Sequence, residues 1–161
     1  MPSPTSWLAV RLAAVLVQVA MSACFPVLPT RFMVLEASQG EGAVEFTSAE
    51  LEDRCPSGIL VLGISIQRDG CERDCKQWQL TRRGTADPTD ELTPFPMRYG
   101  QEIPDSTVIQ HPKALAPGVY TVGASMGCFI DGELLGERVF GRFEIPVGGG
   151  AIRNILASRE P

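Results

Sequence analysis

The pentapeptide Gly123-Ala124-Ser125-Met126-Gly127 has the G-x-S-x-G spacing of a nucleophile elbow, in which a strand turns sharply into a helix and exposes the serine beside an oxyanion hole. Its surroundings deny that geometry. A strand-like run, Cys128-Phe129-Ile130, follows and ends in an Asp131-Gly132 turn rather than in a helix. The sole histidine, His111, precedes Ser125, whereas an elbow takes its base from later in the chain. Ser125 therefore reads as a small strand residue, and His111, next to Pro112, as a surface residue of a loop. No catalytic residue is expected, and the chain reads as a non-enzyme. The acidic group Asp87, Asp90 and Glu91 lacks the alternating ligand spacing of a calcium loop. Glu50, Glu52 and Asp53 form a second acidic group. Both read as solvated surface, with no metal and no cofactor.

Cys24 aside, four cysteines remain: Cys55, Cys71, Cys75 and Cys128. An even count in an exported chain reads as two disulfides, for which four cysteines allow three connectivities. Cys71 and Cys75 flank Glu72-Arg73-Asp74 between two strand-like runs, where a bridge would staple a hairpin loop. Cys55 would then pair with Cys128. No two of the four form the C-x-x-C pair typical of structural zinc sites and redox centres. A ligand site, if the chain has one, falls in the loop group 83–106. There Phe95, Arg98 and Tyr99 combine ring surface with hydrogen-bonding capacity, although packing and solvation compete for the same three side chains.

The elements that must position these residues begin after a distinctive leader. Residues 7–20 form an apolar run broken by Arg11 and Gln18, and it closes on Met21-Ser22-Ala23-Cys24. A short apolar stretch ending in small residues has the form of an export signal, and Arg11 cuts it below the roughly 20 apolar residues of a permanent span. Met21-Ser22-Ala23-Cys24 resembles the lipobox of bacterial lipoproteins, with Met21 where that pattern usually has Leu. The resemblance implies cleavage after Ala23 and acylation of Cys24. Diacylglycerol plus an amide-linked chain would then give more than one buried acyl chain, which stable membrane attachment needs. Phe25 in place of Asp implies outer-membrane sorting, on the periplasmic face, in a cell with two membranes. Residues 24–30 read as the lipidated cysteine and a proline-containing tether.

With 161 residues, 44% of them hydrophobic and 20% charged, the chain suits one folded domain and does not fit a disordered one. A net charge of −5 argues against nucleic acid as a partner, since phosphate binding needs a positive field. Thirteen prolines and sixteen glycines punctuate short segments, which does not suit a helical bundle. Strands are expected at 31–37, 43–46, 59–67, 76–82, 97–100 and 107–110, with one helical turn near 48–53 after Thr47-Ser48. Lys76, Trp78 and Leu80 share one face of their strand, and Gln77, Gln79 and Thr81 the other. Asp131-Gly132 is a hairpin turn signal between 119–130 and 133–145, and Gly141 suggests a bulge. Val139, Phe143 and Ile145 share one face of the last strand, with Phe140 and Arg142 opposite.

Leu115-Ala116-Pro117-Gly118-Val119-Tyr120-Thr121-Val122 resembles the late-strand entry of fibronectin-type and immunoglobulin-like sandwiches. That resemblance implies a Tyr120 hydroxyl bonded back across the corner, with Leu115 beneath it. The expected protein is all-β: a small antiparallel, immunoglobulin-like β-sandwich over 31–147, after a cleaved signal peptide (1–23) and before a flexible tail (148–161). The chain resembles uncharacterised bacterial lipoproteins, a likeness that implies no activity. The expected role is a membrane-anchored accessory module contacting an envelope protein through loops or a strand edge. The alternative is a binder of a small ligand or carbohydrate.

Overall fold

Period-2 alternation of apolar and polar residues organises almost every element of this chain. The computed structural model describes residues 33–155. The leader, Cys24, the tether and residues 156–161 of the expected tail lie outside the described residues. In chain order the elements are β1 (Met33–Val34), β2 (Glu36–Gln39), β3 (Val44–Thr47), α1 (Ala49–Arg54), β4 (Leu60–Arg68) and β5 (Lys76–Arg82). They continue with β6 (Met97–Arg98), β7 (Ser106–Gln110), β8 (Gly118–Ile130), β9 (Glu133–Ile145) and β10 (Arg153–Asn154). The strands form two sheets. The larger has the order β1-β9-β8-β4-β5-β7, with β10 also paired to β9, and the smaller is β2-β3-β6.

One apolar core joins the inward faces of both sheets. Trp78, Tyr120, Val122 and Phe143 enter it from the large sheet, and Phe46 and Met97 from the small one. Phe46 meets Phe143 edge-on at 5.9 Å, and Tyr120 stacks on Phe143 at 5.4 Å, separations at which aromatic pairs add to area burial. The expected alternation of β5 holds from Gln77 on: Trp78 and Leu80 are buried while Gln77, Gln79 and Thr81 are not, and Lys76, at a register irregularity against β4, is exposed. The β8–β9 hairpin closes with Ile130 opposite Glu133. Asp131 and Gly132, at φ 53° and 85°, supply the two positive values of a type I′ turn.

Both disulfides have the expected pairing, Cys55–Cys128 and Cys71–Cys75. The first is buried beside α1, and the second staples the β4–β5 loop at the surface. Ser48 stands at the N-cap of α1 without a side-chain cap bond: its N–H donates to Glu52 Oε1 at 3.2 Å, while its hydroxyl is buried with no partner among the described residues.

Four expectations change. The strand foreseen at 31–37 is divided, because β1 pairs with β9 and β2 with β3. Leu35 makes the crossing, its N–H bonded to Phe140 O at 3.0 Å, and the alternation survives the switch with Met33, Leu35 and Ala37 all buried. The β1–β9 pairing is parallel, so the large sheet is mixed rather than purely antiparallel. Gly141 makes no bulge, since the β8–β9 register runs unbroken past it. Its missing side chain instead admits the Leu35 carbonyl, which a Cβ would overlap. Finally, ordered structure continues beyond residue 147. β10 pairs with β9, and the Asn154 amide accepts from Ala37 N at 2.8 Å and donates to Ala37 O at 3.0 Å.

Candidate functional site

The three ligand-site candidates from the sequence do come together. Phe95, Arg98 and Tyr99, with Pro94, Pro96 and Gln101, line one shallow hollow of 620 Å³ beside β6. Local chemistry explains why. Prolines on both sides of Phe95 prevent regular pairing, so this stretch crosses the end of the small sheet as an extended loop, and only Met97–Arg98 joins β3. Phe95 packs partly into the core. Arg98 is exposed and directs Nε to Glu45 Oε1 at 3.3 Å.

Tyr99 is engaged by the fold itself. Its ring packs edge-on to Trp78 at 5.5 Å. Its hydroxyl lies 2.8 Å from Lys113 O and 3.0 Å from Gln77 O, and accepts the Lys113 N–H at 3.2 Å. Burial pushes the hydroxyl's pKa up to about 12, against a smaller lowering by the Lys113 backbone hydrogen bond. What faces the hollow is therefore ring surface, with the remaining N–H groups of the Arg98 guanidinium at the rim. That combination suits stacking and hydrogen bonding to a small polar ring.

Ser125 lies in the middle of β8, paired with Gly63 on one side and Arg138 on the other. A nucleophile elbow needs a strand-to-helix turn there, and none is present. His111 is exposed just after β7. The acidic groups are tied to neighbours. Asp90 pairs with Arg82 at 2.5 Å, with both side chains largely buried. Asp87 accepts from the Thr89 hydroxyl and backbone N–H, the contacts that hold its pKa below the usual value. Glu50 pairs with Arg54 at 3.4 Å. Among the described residues no cluster of His, Cys, Asp and Glu has the arrangement of a metal site.

Two surfaces were not singled out by the sequence. One is the free edge of β7, which among the described residues is paired on one side only, to β5. Val108 and Ile109 there are 41% and 57% exposed. The edge of β2, in contrast, is covered where the Asn154 amide pairs with Ala37. The other surface is the outward face of the large sheet, a trough of 420 Å³ over Gly63, Ser65, Gly123 and Ser125, bounded by Arg138 and Phe140. Its signal was present in the alternation, which already set Phe140 and Arg142 opposite the core.

No protein-family model matches the chain, and neither a curated protein nor a solved structure is similar to it.

Proposed function

We propose that this protein is an exported lipoprotein, acylated at Cys24, whose immunoglobulin-like β-sandwich acts as a non-catalytic interaction module for an envelope protein. The observation that carries the interaction role is the open β7 edge: five uncharged residues, Ser-Thr-Val-Ile-Gln, with two exposed aliphatic side chains and no covering element among the described residues. Edges are normally blunted by charge, proline, cover or a bulge. β7 has a register irregularity at Ile109, but its Ser106–Val108 stretch has none of the other three among the described residues and is suited to strand addition by a partner. Two disulfides support export, because such bonds persist in oxidising compartments. The lipobox-like Met21-Ser22-Ala23-Cys24 supports anchoring, and in a cell with two membranes Phe25 favours the periplasmic face of the outer membrane. For the immunoglobulin-like assignment the support is Tyr120, whose buried hydroxyl donates to Ala116 O at 2.5 Å, the corner bond of such sandwiches. Neither nucleic acid nor a cofactor has a role in this reading.

Mass spectrometry of the mature N-terminus, with and without reductant, tests anchor and bridges together. Met1 retained with free thiols overturns export. Crosslinking in membranes tests the edge: one stoichiometric partner is expected, and Val108→Pro, which blocks edge pairing, should abolish its capture.

The hollow at Phe95, Arg98 and Tyr99 favours a second reading, a small-ligand or carbohydrate binder. In that case a sugar would perturb the resonances of Tyr99 and Phe95, and Arg98→Ala would weaken binding while leaving partner capture unchanged.

A further inference from the structure

The outward positions of β4 (63–67), β5 (77–81), β8 (121–125) and β9 (138–142) carry two arginines and no acid of their own, although the chain as a whole has 19 acidic residues. The acid that touches them is Asp69, which accepts from Thr121 Oγ1 at 2.8 Å. Arg142 is paired with Asp69 at the margin of this face, at 2.7 Å. Arg138 is exposed and has no ion pair among the described residues. Beside it, Val34 and Phe140 lie opposite each other in the β1–β9 register and are 53% and 37% exposed. From this combination we infer that the outward face of the large sheet docks on the anionic phospholipid surface that holds the anchor, an inference resting on the proposed acylation of Cys24.

Chain length and charge select this occupant. Val34 is ten Cα steps beyond Cys24, and a chain of that length reaches at most about 35 Å. The tether leads into β1, so Val34, on this face, can be no farther than that from the anchored Cys24. An acidic domain confined near an anionic surface is repelled least where acids are fewest. With Arg142 neutralised by Asp69, Arg138 is the arginine of this face that adds about 1 kcal/mol of attraction. Arg138 supplies donors for lipid phosphate, while Val34 and Phe140 offer apolar contact at headgroup depth.

The test uses the full acylated protein in vesicles, with an environment-sensitive fluorophore at Gly123→Cys, where a side chain meets no atom within 4 Å. A control label replaces Glu41, exposed near the small sheet. In vesicles containing phosphatidylglycerol the label at position 123 should shift to shorter wavelength and be quenched by headgroup-labelled lipid, while the label at 41 should not. Arg138→Gln should shift the docked-to-undocked ratio about fivefold toward undocked, and pure phosphatidylcholine should shift it the same way. Should the cysteine variant fold poorly, vesicle-dependent protection of Arg138 from phenylglyoxal in the unaltered protein reads the same face. A water-like signal at 123 with Cys24 acylated overturns the docking alone. Absence of the acyl chain overturns the docking and the anchoring together.

Discussion

The two disulfides occupy opposite kinds of surroundings. Cys55–Cys128 lies in the interior, with its cysteines 3% and 5% exposed, and joins residues 73 apart in the chain. Cys71–Cys75 spans four residues at the tip of the β4–β5 loop, where polar contacts do the remaining work. Lys113 Nζ reaches Asp74 at 2.7 Å, and Gln77 Nε2 donates to Cys75 O at 3.0 Å. Tyr99 ties the 111–113 segment to β5. The same covalent bond thus serves two purposes. One excludes a large set of unfolded conformations and anchors α1 to the far end of β8. The other sets the shape of a loop whose strands are already paired.

The largest effect should come from the interior bridge. Replacing Cys55 and Cys128 together by Ser should cost about 4 kcal/mol on the chain-entropy model, read as a lower denaturation midpoint in urea. Replacing Cys71 and Cys75 should cost about 2 kcal/mol on the same model. If the two losses came out equal, loop length would not be what separates the bridges. Mild reductant should sharpen the contrast: the surface bridge should gain two hydrogen atoms by mass while the buried one stays oxidised until the protein unfolds.

Tyr99→Phe should cost about 1 kcal/mol through the lost hydroxyl contacts, and it carries a pH signature. The folded-state pKa is raised from the ordinary 10 to about 12, so the neutral hydroxyl's contribution is complete below about pH 10 and declines as pH rises toward 12. The unaltered protein should therefore lose stability over that window by more than Tyr99→Phe does. The smallest effect belongs to the exposed pair. Asp74→Asn should change stability by no more than about 0.5 kcal/mol, measurable as a midpoint shift that vanishes in high salt.

Much of this architecture was legible because it is locally encoded. The Lys76–Arg82 strand has the bounds its alternation suggested, the Asp131-Gly132 turn closes the hairpin it announced, and the buried Trp78 sits where its face placed it. The grouping of Phe95, Arg98 and Tyr99 was legible too, since five residues of one loop cannot lie far apart. The parallel β1–β9 pairing was not, nor was the role of Gly141, because both depend on a segment more than a hundred residues away. Asn154 escaped notice for the same reason: an amide that pairs with the backbone of Ala37 has no local pattern.

From residue types and spacing alone came the all-β character, the turn positions and the faces of the long strands, all of which follow from period-2 alternation and short-range turn chemistry. Only the tertiary structure decided which of the three cysteine connectivities forms, which edges are covered, which bridge is buried, and that the outward face of the large sheet brings together residues from four strands, none of them acidic. Those features arise from contacts between distant segments, and local preference does not specify them.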